Sequence, residues 1–283
     1  MIGPRPWSLL AAALVAAHAA AAQAQPAATP LAVTRRPLVI EPGRCEATLV
    51  IESNESARRR FEPISLAPDL HCGVHPRLAL GVTHSARSLS LIDSGDGLCL
   101  RGADGGCSHV YDGTAIDALT KIRDQPDQDV AVAARARLVA ASYSPFKPSL
   151  RVGALVRLRR GSVAVVLDPH LAFGLASRDR GNRDQLNIPL VGQVQIGPRV
   201  VVSLRSGARG ELVTFADAFA VPVGAGVEFS PSPVWDIGFE AGFPRLLGPQ
   251  NTFRERHLGL HVTYLLRAAP PPSHERLSSD DSR

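Results

Sequence analysis

The chain has 283 residues, and its 31 Lys and Arg against 26 Asp and Glu give a formal net charge of +5. Hydrophobic residues make up 45% of it, an ordinary fraction for a folded protein and too high for a wholly disordered one. After residue 24 no run of about 18 consecutive apolar residues occurs, which excludes a transmembrane helix in that part of the sequence.

The first 24 residues have the pattern of a secretory signal peptide. Arg5 supplies a positive charge, residues 8–22 form an Ala- and Leu-rich run, and Ala22-Gln23-Ala24 fits a small-x-small cleavage site. We therefore expect residues 1–24 to be removed during export. A flexible N-terminal segment is expected to follow over residues 25–43.

Strict alternation of apolar residues with polar or small ones recurs along the rest of the chain. Because successive side chains of a strand point to opposite faces, such alternation over about nine residues predicts a β-strand. The strongest examples are 150–158, 163–175, 219–229, 235–243 and 258–266. Weaker examples are 44–52, 61–72, 76–84, 109–122, 129–141, 185–196 and 199–206. Together they predict twelve strands and an all-β fold.

Short and long connections alternate between these predicted strands. The short turns, rich in Gly, Pro and Ser, are 73–75, 123–128, 159–162, 197–198 and 230–234. The longer polar segments are 53–60, 85–108, 142–149, 176–184, 207–214 and 244–254. Outer-membrane barrels have short turns at one rim and longer loops at the other, and a closed sheet pairs every backbone group, as hydrocarbon requires. We therefore expect a single antiparallel up-and-down transmembrane β-barrel of about 12 strands over residues 44–267, with a disordered tail over 268–283.

The two faces of the predicted strands differ in chemistry. Val, Leu and Phe occupy one face, while Gly, Arg, Asp, Glu and His are spread over the other, which predicts a lipid-facing exterior and a polar lumen. Two interpretations of the lumen remain open: a lattice of ion pairs that fills a narrow barrel, or a small pore or binding lumen in which separated rings of charge orient a polar solute. The candidate lumen-lining residues are Asp69, His71, Arg135, Arg137, Arg151, Arg157, Asp168, His170, Arg205, Glu228, Asp236, Glu240, His257 and His261.

Cys45, Cys72, Cys99 and Cys107 form an even set in a chain expected to be exported, where disulfides are the default. Cys99 and Cys107 flank a Gly- and Asp-rich tip and are predicted to close that loop. Cys45 and Cys72 lie on the apolar faces of adjacent predicted strands, at their short-turn ends. A cross-strand disulfide is possible there if the two align in register. A zinc site formed by Cys72 and its neighbouring histidines is the alternative.

Motifs for catalysis and for cofactor binding are weak. His84-Ser85 lies at the long-loop rim, where a barrel phospholipase carries its Ser and His, but it has no recognisable orienting partner and no Gly-x-Ser-x-Gly elbow occurs. Asp93–Gly97 resembles part of a calcium loop without the later Glu. Arg58–Arg60 is either a contact for lipopolysaccharide or a solvated charge run. We expect no enzyme activity, no metal or cofactor and no nucleic-acid partner.

With these features the chain resembles the outer-membrane β-barrel proteins of Gram-negative bacteria, and more narrowly the uncharacterised exported barrels among them. A Pro-Asp-Leu-His-Cys-Gly-Val strand and turn at 68–74 and a Leu-Cys-Leu-Arg-Gly-Ala-Asp-Gly-Gly-Cys loop at 98–107 carry the resemblance. It implies an outer-membrane location, contact with membrane lipid, and either a structural role or passive passage of small polar solutes. The alternative is a soluble exported β-sandwich or ligand-binding protein, which turns Val, Leu and Phe inward.

Overall fold

The computed structural model describes residues 33–55, 64–85, 97–101, 111–124 and 128–267. The predicted signal peptide and C-terminal tail lie outside these residues. Within this part of the chain, no helix has the length and apolar character needed to cross a membrane. The strands are β1 (Arg44–Asn54), β2 (Ile64–His75), β3 (Leu78–Thr83), β4 (Gly97–Arg101), β5 (Tyr111–Asp112), β6 (Thr114–Arg123), β7 (Val130–Tyr143), β8 (Phe146–Arg160), β9 (Val163–Leu167), β10 (His170–Gly174), β11 (Gln185–Ile196), β12 (Val200–Glu211), β13 (Val221–Ser232), β14 (Trp235–Leu247) and β15 (His257–Arg267).

The strands form one closed antiparallel barrel. The sheet closes because β1 pairs with β15 along its whole length, from Arg44 opposite Arg267 to Asn54 opposite His257. Three of the barrel strands are interrupted, and each consists of two pieces: β3 with β4, β5 with β6, and β9 with β10. The two pieces of each pair lie end to end and hydrogen-bond to the same neighbouring barrel strands. The fifteen pieces therefore make twelve barrel strands, as the alternation predicted.

The barrel carries its apolar side chains outside and its charged side chains inside. On β6 and β7, Ile116 and Leu138 are 59% and 49% exposed, whereas the adjacent Asp117 and Arg137 are 0% and 2% exposed. A soluble barrel or sandwich needs the reverse arrangement, since its apolar face must be the dry one. The predicted transmembrane orientation is therefore confirmed, and the soluble β-sandwich is not favoured.

Short and long connections lie at opposite ends of the barrel, the short-turn end and the long-loop end. At the short-turn end, two residues join β2 to β3, β8 to β9 and β13 to β14. At the long-loop end, residues 175–184, 212–220 and 248–256 are the connections of β10, β12 and β14 to the next strands. The predicted long loop at 142–149 is wrong. Tyr143 pairs with Phe146 across a tight turn, because the ladder of β7 and β8 continues to the rim.

Residues 33–43, called the N-terminal segment below, enter the barrel at the short-turn end. Val39 is completely buried and packs against small or apolar side chains of the barrel wall. These side chains are Ala79, Leu119, Ala133 and Leu155. The wall residue Gly73 must lack a side chain, because a Cβ there would lie 2.2 Å from the carbonyl oxygen of Glu41. A flexible segment was expected over residues 25–43. Its described part, residues 33–43, is packed against the lumen wall.

Two cysteine predictions have different outcomes. Cys45 and Cys72 stand opposite each other on β1 and β2 and form a disulfide with their Cα atoms 4.1 Å apart, which confirms the predicted register. The sulfur of Cys72 is thus not available to zinc. Cys99 is also disulfide-bonded. Cys107 lies outside the described residues, so the closure of that loop by Cys99 and Cys107 stays a prediction.

Candidate functional site

Asp117 on β6 is the centre of a first group of charges in the lumen, called the Asp117 cluster. Arg135 Nε lies 3.1 Å from both of its carboxylate oxygens, Arg137 Nε lies 3.2 Å from Oδ1, and His71 Nε2 lies 3.4 Å from Oδ2. Arg135 also donates from Nη1 to Asp168, at 3.0 Å. Two arginines from β7 thus share two carboxylates, and this pairing offsets the cost of burying all four charges.

A second group, the Glu240 cluster, lies on strands β12 to β15. Glu240 Oε1 is 3.3 Å from His257 Nε2, and Oε2 is 3.3 Å from Arg205 Nη1. Glu228 Oε2 is 3.3 Å from His261 Nε2. Both histidines are buried, and each turns one ring nitrogen toward a carboxylate. This side of the lumen is therefore also filled by paired groups.

Arg36 takes the N-terminal segment across the lumen. Its guanidinium binds the carboxylate of Asp236 on β14 through both terminal nitrogens, with Nη2 at 2.8 Å from Oδ1. Its carbonyl oxygen accepts a hydrogen bond from Arg157 on β8, which lies on the far side of the circle of strands from β14. Val39 N–H donates to Asp124 at the end of β6, at 2.9 Å. The segment is therefore bonded to opposite walls of the barrel.

Open space remains in the long-loop half of the lumen. A cavity of about 460 Å³, the outer vestibule, is open to the long-loop end. Its charged and amide side chains are Arg151, Gln185, Asn187, Arg209, Glu211, Arg245 and Gln250. A second cavity of about 100 Å³ shares Asn187 and Arg209 with the vestibule and reaches Arg135 and Asp168. The two cavities therefore adjoin, and the inner one, whose lining is mostly apolar, lies against the Asp117 cluster.

Ion pairs also order the rim around the vestibule. Arg178 donates to both carboxylate oxygens of Asp184 at 2.8 Å, and these hydrogen bonds lower the pKa of Asp184 below its ordinary value. Arg183 lies 2.9 Å from Glu211, and Arg245 lies 3.2 Å from Glu255. Glu211, the single acid among the described residues that line the vestibule, thus has a cation of its own.

Of the fourteen candidate lumen residues, thirteen lie on the inward faces of their strands, and Asp168 lies in the short connection between β9 and β10. Twelve of them belong to the contacts described above for the two clusters, the N-terminal segment and the vestibule. His170 Nδ1 lies 2.8 Å from the carbonyl oxygen of Asp168. Asp69 is apart from the clusters and accepts the backbone N–H groups of His84 and Ser85 at 2.6 and 3.0 Å, where β3 ends. The charges are interleaved as pairs and not separated into rings.

Several inward-facing charges were missed by the sequence analysis. Glu46, Glu52 and Asp117 lie at the inward-facing positions of predicted strands. The same alternation of residues therefore contains the signal that identifies them. Arg36 and Asp124 lie outside the predicted strands, and no periodic signal marks them. Their roles depend on the path of the N-terminal segment, which the local sequence does not encode.

Other predicted features add no second site. Arg58–Arg60 and residues 93–96 of the calcium-like stretch lie outside the described residues. Within the described ranges, no group of three or more His, Cys, Asp or Glu is arranged to hold a metal ion.

Comparison with solved structures identifies the fold. The chain is similar to the NanC porin, with a TM-score of 0.55 and 6% sequence identity over 77% of this chain and 98% of that one. It is also similar to an outer membrane channel from Pseudomonas putida F1, with a TM-score of 0.50 and 13% identity over 81% and 97% of the two chains. No family model and no curated protein matches the sequence. The chain thus has the fold of Gram-negative outer-membrane β-barrels.

Proposed function

We propose that this protein is an outer-membrane channel of restricted conductance for small polar solutes, closed near its short-turn end by its own N-terminal segment. The observation that carries the proposal is the pair of adjoining cavities that extend from the long-loop end of the lumen to Arg135 and Asp168. A barrel with a purely structural role has no need of an open cavity at its long-loop end with a second cavity beside it deeper in the lumen.

The N-terminal segment is the element that limits passage. Arg36 holds it to Asp236, and Asp124 holds it through the backbone of Val39. Among the described residues, the segment joins the sheet only at the isolated bridge of Pro42 with Gly73, so residues 33–41 can leave the lumen without breaking the ladder that closes the barrel. The ion-paired clusters narrow the remaining lumen, and passage is therefore restricted to small solutes.

A structural role is the second candidate, and the ion pairing of the buried carboxylates in the two charged clusters favours it. Asp117, Asp168, Glu228 and Glu240 each pair with a cation or an imidazole on the neighbouring or next-but-one strand. Such cross-linking of the wall rigidifies a barrel whether or not anything passes through it.

Single-channel recording distinguishes the two roles. The purified full chain in planar bilayers is expected to give small, discrete current steps. Arg36→Ala removes a charge-assisted pair and is expected to shift the closed-to-open equilibrium by about tenfold toward the open state. The measured quantity is the open probability at fixed voltage.

Arg44→Ala is the matched control, because Arg44 follows the same segment but pairs with Glu41 at the exposed surface, at 3.1 Å. Its open probability is expected to equal that of the unmodified chain. Bilayers that stay silent with both the unmodified chain and Arg36→Ala contradict the channel and leave the structural role.

We propose no catalytic role for His84-Ser85. The hydroxyl of Ser85 is completely buried and donates to Asp69, and the ring Nδ1 of His84 lies against the carbonyl oxygen of Pro68. A serine nucleophile needs a neighbouring base and access to substrate, and Ser85 is enclosed. Contact between Arg58–Arg60 and lipopolysaccharide is a separate proposal.

A further inference from the structure

We propose that the short-turn end of the barrel binds the head groups of anionic phospholipids through a row of four exposed arginines. This arginine row consists of Arg77, Arg123, Arg160 and Arg199. They lie in, or at the strand ends next to, the connections of β2 to β3, β6 to β7, β8 to β9 and β11 to β12, which follow one another around the barrel. The inference concerns the outer edge of the barrel and goes beyond the proposed channel, because it holds whether or not the lumen conducts.

Within the described residues, no carboxylate pairs with the arginine row. Arg123 donates from Nε to the neutral side chain of Gln128, at 3.0 Å, and none of the four arginines forms an ion pair. Asp127, which stands in the sequence between β6 and β7, is outside the described residues, and a single acid does not balance four arginines. The row therefore retains an excess of positive charge.

Three acids at the short-turn end are engaged with other groups. Glu41 lies 3.1 Å from Arg44, and Asp129 lies 3.9 Å from Arg159. The buried Asp124 accepts a hydrogen bond from the N-terminal segment inside the lumen. An anion that neutralises the arginine row therefore has to come from outside the protein.

Each arginine of the row stands at the edge of the apolar exterior. One to three residues before each of them comes an exposed, outward-facing apolar side chain, namely Val74, Ile122, Leu158 or Ile196. Because a strand rises about 3.3 Å per residue, the arginine backbones lie within about 10 Å of the end of the apolar band. The head-group layer of a bilayer extends about 5–8 Å beyond the hydrocarbon on each side. The arginines are thus at the depth of the lipid phosphates.

This position favours a lipid over a soluble anion. A guanidinium presents paired N–H donors that match two oxygens of a phosphate, and its apolar stem can stay on the apolar surface while the charge reaches the head groups. An anionic phospholipid contacts the apolar band with its acyl chains and the arginine row with its phosphate. A soluble anion contacts the arginines alone.

Native mass spectrometry of the full chain in a neutral detergent tests the site without any current. Added phosphatidylglycerol is expected to bind more tightly than phosphatidylcholine, which has no net charge. The variant that combines Arg77→Gln, Arg123→Gln, Arg160→Gln and Arg199→Gln is expected to lose this preference by at least about fivefold, the scale for one basic side chain at an anionic membrane surface.

The matched control removes four arginines from the long-loop end, where each has a carboxylate oxygen at 2.8–3.9 Å, by combining Arg178→Gln, Arg180→Gln, Arg183→Gln and Arg245→Gln. Its preference for phosphatidylglycerol is expected to stay within about twofold of the unmodified chain, because the distant charges are screened by salt. Retained heat-dependent gel mobility shows that both variants are folded.

Three results overturn the lipid site. The first is equal binding of phosphatidylglycerol and phosphatidylcholine by the unmodified chain. The second is an equal loss of preference in the two variants. The third is displacement of bound phosphatidylglycerol by glycerol phosphate at the same concentration, which shows that the arginine row binds soluble anions and not lipid.

Discussion

At the scale of single residues, the barrel depends on carboxylates that each serve several cations. Asp117 is the clearest case, because Arg135, Arg137 and His71 all face its two oxygens and it is completely buried. Removing one member of a buried ion pair leaves the others desolvated and unpaired, which costs more than the pair contributes. The stability of the middle strands is therefore concentrated on this carboxylate.

Asp117→Ala is expected to lower the free energy of unfolding by about 3–5 kcal/mol, because two arginines lose a shared partner inside the lumen. Asp129→Ala is the control: its side chain is 74% exposed and 3.9 Å from Arg159, and the loss is expected to be below about 1 kcal/mol. Denaturant titration of the barrel refolded in lipid vesicles measures both. Equal losses from the two variants contradict the importance of the Asp117 cluster.

At the scale of strands, glycines on the inward faces make room for imidazole rings of the neighbouring strand. A Cβ on Gly238 of β14 would lie 2.1 Å from Cε1 of His261 on β15, and one on Gly81 of β3 would lie 2.2 Å from Cδ2 of His71 on β2. These Gly residues of the polar face are thus steric complements of the charged clusters. Pairing across strands decides this, and a single strand does not reveal it.

Gly238→Ala is expected to destabilise the barrel by about 1–3 kcal/mol, because the new methyl group displaces His261 from Glu228. Gly192→Ala on β11 is the matched control, since its nearest neighbour would be the Leu204 carbonyl oxygen at 3.9 Å and the methyl group fits. Denaturant midpoints in the same vesicles compare the two variants. A Gly238→Ala midpoint equal to that of Gly192→Ala shows that the close approach to His261 has no energetic weight.

At the scale of the whole molecule, the period-two pattern determines most of what is predictable. Because this pattern is local, the sequence alone predicts the number of strands and which face of each strand points inward. The fourteen candidate lumen residues, the first of which is Asp69 and the last His261, follow from the same pattern. The extension of β7 and β8 to Tyr143 and Phe146 is less visible, because residues 142–149 have loop-like composition and only pairing with a partner strand makes them sheet. The wall-to-wall path of the N-terminal segment is not visible at all, because Arg36 and Asp236 are 200 residues apart.

The orientation of the whole barrel can be tested by placing one charge on its exterior. Leu260 is 44% exposed and stands between the outward-facing Ile51 and Phe239. Leu260→Arg is therefore expected to weaken folding into lipid vesicles by about 2–4 kcal/mol, the cost of a charge on the lipid face near the bilayer midplane. The folded fraction is read from heat-dependent gel mobility across a urea series.

Val213→Arg is the control for that substitution, because Val213 is 93% exposed in the connection between β12 and β13 at the long-loop end. A charge there stays in water and is expected to leave folding unchanged. If both arginines have the same small effect, the exterior at Leu260 is not in contact with acyl chains. The outward leucines and valines then require another apolar partner, since water alone does not stabilise a surface of that composition.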